Sequence, residues 1–239
     1  QVRRRMEIIK PYTKWVRSFS CTEGNEFIPK VAKEYGIKTM VGAWLGDDPE
    51  VNEREVAGLI KLANEGLVDI AAVGNEVLYR NDLSEGELLA FMTQVKNSIP
   101  ETVPMGYVDA YYQLIQRPEL LRACDIILTN CYPFWEGSDI HKAAGYLKRM
   151  YELTLDVSKG KPVIITETGW PNKGSKREAA EPSSVNAMKY FINVSKWQQE
   201  NDLQLFYFTS FDESWKLHHE GDVGAGWGIW DQNEHLKYE

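Results

Sequence analysis

Two glutamates close two apolar runs that read as buried strands. Residues 69–76, Asp-Ile-Ala-Ala-Val-Gly-Asn-Glu, end on Glu76. Residues 162–171, Pro-Val-Ile-Ile-Thr-Glu-Thr-Gly-Trp-Pro, present Glu167. Near-continuous apolar character is what a strand covered on both faces requires. If both strands belong to one parallel barrel, both carboxylates point into the same mouth. Two carboxyl groups at one cleft can cleave a glycosidic bond. One protonates the leaving oxygen, and the other attacks the anomeric carbon or activates water. Retention requires the two to lie about 5 Å apart, whereas inversion leaves room for a water at about 9 Å.

Strand and helix signals alternate around these runs. Strands are expected at 16–20, 38–45, 69–77, 103–109, 125–132, 163–168 and 205–212. Helices are expected at 2–12, 27–35, 52–64, 84–98, 111–121, 140–157 and 183–201. Pro11 stops the first helix, Gly36 closes the second, and Ser84 with Glu87 forms a capping-box pattern. Pro118 marks a break or a fresh helical start. The βα repeat implies a parallel sheet in one domain spanning 1–239. No GxGxxG turn follows any strand, and polar and aromatic residues gather after every strand. That distribution suits a (β/α)8 TIM barrel better than a doubly wound sheet. Seven strands are counted where eight are needed, and the chain opens on a helix. The first strand is therefore expected upstream of Gln1, in a segment of roughly 20–30 residues.

Composition narrows the partners. A net charge of −8 with no basic run argues against a nucleic-acid ligand. Cys21, Cys124 and Cys131 are too few and too scattered for a disulfide framework and read as buried thiols. The four histidines have no metal-ligand spacing, so no cofactor or metal is expected. No apolar run is long enough to span a membrane. The N-terminal Gln-Val-Arg-Arg-Arg has no signal-peptide pattern, and a leader removed by processing would leave the same start. The 8 Trp and 12 Tyr are consistent with a large core or with rings that stack on sugars.

In a barrel the working residues sit at the C-terminal ends of the strands. There the sequence places Trp44, Asn75 and Glu76, Asp109, Tyr132 and Trp135, Glu167 and Trp170, and finally Glu213, Trp215 and Lys216. This rim is rich in carboxylates and rings and has one cation, Lys216. It suits a neutral, hydroxyl-rich ligand better than a phosphorylated one. Glu213 and Lys216 also read as an ion pair holding a loop, and the tryptophans also read as rim packing. The charged stretches 50–55 and 173–181 read as solvated surface.

Val-Gly-Asn75-Glu76-Val, Ile-Thr-Glu167-Thr-Gly-Trp170-Pro171 and Phe211-Asp-Glu213-Ser-Trp-Lys216 resemble the signatures of glycoside hydrolase family 17. The closing Gly226-Trp-Gly-Ile-Trp-Asp231 is similar to that family's ending, and the order of elements agrees over essentially the whole chain, as a bacterial-type catalytic domain. The resemblance implies a retaining β-1,3-glucanase of the laminarin type, with Glu76 as acid/base, Asn75 beside it and Glu167 as nucleophile. Glu213 and Lys216 match cleft positions of that family. A β-1,3-glucan transglycosylase shares the covalent intermediate and differs in what attacks it. A non-catalytic β-glucan-binding protein is the third reading, against which the intact carboxylate pair stands. The implied partner is a β-glucan polysaccharide or oligosaccharide, the expected state a monomer, and the expected location secreted, periplasmic or at the cell envelope.

Overall fold

The computed structural model describes residues 1–238. Its strands are β1 (Trp15–Ser18), β2 (Lys38–Ala43), β3 (Ile70–Asn75), β4 (Met105–Ala110), β5 (Ile127–Asn130), β6 (Val163–Thr168) and β7 (Leu205–Tyr207). They form one seven-stranded sheet in sequential order. The α-helices are α1 (Val2–Ile9), α2 (Phe27–Glu34), α3 (Pro49–Asn64), α4 (Val77–Arg80), α5 (Glu85–Lys96), α6 (Tyr111–Leu114), α7 (Pro118–Ala123), α8 (Ile140–Val157), α9 (Ser184–Glu200) and α10 (Leu217–Glu220). Sequential strands separated by helices are the mark of the (β/α)8 TIM-barrel class, represented among the described residues by seven strands. Two compact units divide the chain: residues 1–129 with 154–163, and residues 130–153 with 164–239.

In the first unit β1 to β4 pair in parallel, with Trp15 opposite Lys38, Met40 opposite Ile70, and Ala71 opposite Met105. The strands are apolar on both faces, and Met40, Val41, Val73, Met105 and Val108 are fully buried, as are Leu59 of α3 and Leu88 and Met92 of α5. Helix starts follow local chemistry. Asp48 accepts from the Glu50 and Val51 N–H groups with Pro49 in the first turn, so α3 begins before the expected residue 52. Ser84 and Glu87 complete the capping box of α5. The helical expectation at 111–121 splits at Pro118 into α6 and α7.

The second unit pairs β6 with β7, Ile165 opposite Leu205. Ser183 caps α9 by accepting from the Asn186 N–H. Its core is aromatic: Phe134, Trp170, Tyr190 and Trp227 are buried and meet edge to face or tilted. The strand expected at 205–212 ends at Tyr207. Beyond it the chain turns to a returning segment: the Thr209 N–H bonds the Trp227 carbonyl at 3.2 Å and the Asp212 N–H that of Trp230 at 2.9 Å. Residues 214–226 form two 3-10 turns flanking α10.

Candidate functional site

In the first unit the end of β3 is bent out of regular pairing. Its register against β4 shifts between Ala72 and Asn75. Gly74 has φ +85°, and a Cβ there would meet Val77 Cγ2 at 2.8 Å, so a side chain is excluded on both counts. Glu76 itself is left-handed, φ 54°. A non-glycine residue in that region is held by its surroundings, not by preference. Here the Glu76 N–H bonds the Val108 carbonyl at 2.8 Å, and the Glu76 carbonyl accepts from the Arg80 N–H at 2.9 Å. Asn75 is buried and its Oδ1 accepts from Arg17 Nη2 at 2.7 Å. Arg17 lies 4.0 Å above the Phe19 ring.

Asp109 has no exposed surface. The Tyr107 hydroxyl donates to its carboxylate and accepts from the Leu78 N–H at 3.0 Å, and the Ala110 N–H donates to the other carboxylate oxygen at 2.7 Å. Burial raises the pKa of both Asp109 and Tyr107. Asp109 was expected to meet substrate. It is instead a buried anchor for the turn after Glu76, because its acceptors are spent on Tyr107 and backbone. Trp44 keeps an exposed ring, and its N–H donates to the buried Glu55 carboxylate at 2.9 Å.

In the second unit Glu167 is the penultimate residue of β6, with 6% of its surface exposed. Asn130 Nδ2 donates to Oε1 at 2.9 Å and the Tyr132 hydroxyl to Oε2 at 2.8 Å. The Thr166 hydroxyl donates to Asn130 Oδ1 at 2.7 Å, which fixes the amide so that its nitrogen faces Glu167. The Cys131 N–H bonds the Glu167 carbonyl at 2.9 Å. A carboxylate with a donor on each oxygen is held in one orientation, with its remaining lone pairs available to an electrophile. Tyr132 is itself braced edge-on by Phe208 and Trp227.

The remaining expected residues divide. Trp170 is buried, its Nε1 donating to the Glu181 carbonyl at 3.0 Å and its ring against Phe134 and Tyr190. The expectation of a ligand-facing ring is corrected: Trp170 is core that sets the loop after Glu167. Trp135 is half-buried between Phe134 and Trp227, with Arg177 5.7 Å from its ring centre. Trp215 is 58% exposed. Lys216 is buried, pairs with Glu213 Oε2 at 2.5 Å and lies 3.8 Å over the Phe208 ring.

Three polar residues beside these groups were not among the candidates: Arg17, Asn130 and Glu220. Arg17 carries a signal, a cation in the middle of an apolar strand. Asn130 does too, a polar residue at a strand end. Glu220 carries none, since it lies in what reads as a loop. Burial lifts its carboxyl to about 7 despite the Lys216 charge and the Trp227 indole, with Glu167 and Glu213 adding to the rise. Neither Glu220 Oε2 nor Trp227 Nε1 completes a hydrogen bond. Cys21, Cys124 and Cys131 are buried and take part in no disulfide among the described residues. Among the described residues no group of three or more His, Cys, Asp or Glu could hold a metal, and no helix is long and apolar enough to cross a membrane.

Comparison with known proteins matches residues 1–228 to the BtgE/BtgC glycoside hydrolase domain. The glucan 1,3-beta-glucosidase BGL2 of Candida albicans is 26% identical over 98% of this chain and 83% of its own length. The glucan 1,3-beta-glucosidase of Saccharomyces cerevisiae is 24% identical over 98% of this chain and 82% of its own length. Among solved structures, the glycoside hydrolase family 17 beta-1,3-glucanosyltransferase of Rhizomucor miehei superposes with a TM-score of 0.90 at 29% identity, covering 98% of this chain and 88% of that one.

Proposed function

The chain belongs to the BtgE/BtgC glycoside hydrolase domain family, and from that premise we propose that it cleaves β-1,3-glucan by double displacement. Glu167 attacks the anomeric carbon as the glycosidic C–O bond breaks. Glu76 gives its proton to the departing oxygen. The resulting glycosyl ester on Glu167 is opened by water, whose proton returns to Glu76, so both carboxyls end as they began. The observation that carries this reading is the Glu167 carboxylate, buried and gripped on both oxygens by Asn130 and Tyr132. Such a group is a poor solvated surface residue and a well-aimed nucleophile. Asn75, fixed by Arg17, would bond the sugar 2-hydroxyl in this reading, a contact that strengthens toward the oxocarbenium-like state.

Transfer to a second sugar in place of water is the alternative outcome of the same intermediate. It is supported by the family 17 glucanosyltransferase at TM-score 0.90 and by the exposed Trp215, which could hold an acceptor sugar. A β-glucan substrate lying outside the cell supports the reading of a secreted or envelope-associated enzyme, which we propose acts as a monomer. Incubation with laminari-oligosaccharides of defined length, followed by chromatography, tests the proposal. Shorter products support hydrolysis, longer ones transfer, and an unchanged substrate refutes both.

A further inference from the structure

We infer that Arg80 is the positioning residue that locks the acid/base segment and the Trp44 ring into one rigid piece. This rests on the glycosidase reading above. Arg80 closes the short helix α4, four residues after Glu76. Its guanidinium spends its fork on three separate stretches of chain. Nη1 donates to the Asn75 carbonyl at 2.6 Å, Nη2 to the Leu45 carbonyl at 2.9 Å, and Nε to Asp82 Oδ2 at 2.6 Å. Its central carbon lies 4.7 Å from the Trp44 ring centre.

Each contact has a consequence for the site. The Asn75 carbonyl belongs to the peptide that enters left-handed Glu76. With Arg80 holding that carbonyl, the Val108 carbonyl holding the Glu76 N–H, and the Arg80 N–H holding the Glu76 carbonyl, the backbone on both sides of the acid is tied. This is what keeps a non-glycine residue at positive φ. The Leu45 contact ties the same guanidinium to the end of β2. There the neighbouring groups are also spoken for: the Trp44 N–H by Glu55, and the Gly46 N–H and carbonyl by Asn52 at 2.8 Å each. The cation lies over the Trp44 ring, which remains partly exposed to solvent. Asp82 sets the plane of the fork by holding Nε.

A lysine cannot replace this arrangement, because one ammonium group cannot reach three acceptors in a plane and stack on a ring. The consequence for catalysis is selective. Misplacing Glu76 costs most where the leaving group needs a proton and least where it does not. Arg80→Lys is therefore expected to lower kcat/KM on laminari-oligosaccharides by roughly 10–100-fold. On an aryl β-glycoside with a dinitrophenolate leaving group the loss should stay within about threefold. If Arg80→Lys does not fold, Asp82→Asn carries the same test, since it removes only the Nε partner; a drop of about fivefold is expected on the oligosaccharide and none on the aryl substrate. Equal losses on the two substrates, or wild-type rates on both, would overturn the inference while leaving the glycosidase reading intact. A wild-type chain without activity on either substrate would overturn both.

Discussion

Glu220→Gln should stabilise the protein at pH 8 and leave it unchanged at pH 4. The Glu220 carboxyl sits beside Lys216 and Trp227, and its pKa rises from 4.5 to about 7, chiefly through burial. In the unfolded chain it keeps its ordinary value. Between those two values the folded state binds more protons than the unfolded state, so stability falls as pH rises. The contribution is fully present below pH 4.5 and lost as pH passes through about 7. At 1.36 kcal/mol per pH unit the ceiling is about 3.4 kcal/mol. Glu220 keeps part of its surface in water, and screening reduces this to about 1–2 kcal/mol. Glutamine has the shape of the neutral acid and carries no charge to desolvate. The variant should then melt about 3–6 °C above wild type at pH 8, by the usual conversion for a chain of this size. Thermal or urea unfolding of both proteins from pH 4 to pH 8 reads the effect. A difference that does not vary with pH, or a variant less stable at pH 8, would refute the reasoning. The second outcome would mean that the Lys216 attraction outweighs burial.

Glu167→Ala should abolish turnover, and azide should restore part of it by entering the vacated face to give a glycosyl azide of inverted configuration, identified by NMR. Glu76→Ala should keep glycosylation of substrates with activated leaving groups and give an azide product of retained configuration; identical behaviour of the two variants on both substrate types would remove their separate roles. Tyr132→Phe deletes one of two donors on a buried carboxylate and should cost about 1.5–3 kcal/mol of barrier, a 10–100-fold fall in kcat/KM with little change in melting temperature. Steady-state kinetics at one pH check it, and a loss below twofold would show that the hydroxyl does not aim Glu167.

Periodicity exposed the strands that carry Asn75–Glu76 and Glu167 because both are buried on two faces and so read as unbroken apolar runs. The positions of these glutamates at strand ends followed directly. What could not be read was how side chains settle among themselves. Asp109 and Glu76 look alike in sequence, each an acid ending a strand. Only the Tyr107 hydroxyl, aimed at Asp109 from two residues upstream, turns it into a buried anchor. Trp170 likewise follows Glu167 as a rim residue would, but the Phe134 and Tyr190 rings come from distant stretches and draw it into the core. Arg80 had no signal, lying between the strand expected at 69–77 and the helix expected at 84–98, and its three acceptors lie on segments brought together by folding. The last strand was read too long because Phe208, Thr209 and Phe211 continue a strand-favouring composition, and only the pairing of 209–212 with 227–230 separates them from it.

The covalent intermediate on Glu167 is the most direct test of the account. A 2-deoxy-2-fluoro glucosyl or laminaribiosyl donor with an activated leaving group should slow both steps and let the ester accumulate. Peptic digestion and tandem mass spectrometry should then locate one sugar adduct on the carboxyl of Glu167. An adduct on another carboxyl, or rapid consumption of the donor with release of the inverted sugar and no adduct at all, would contradict the double displacement on which the account rests.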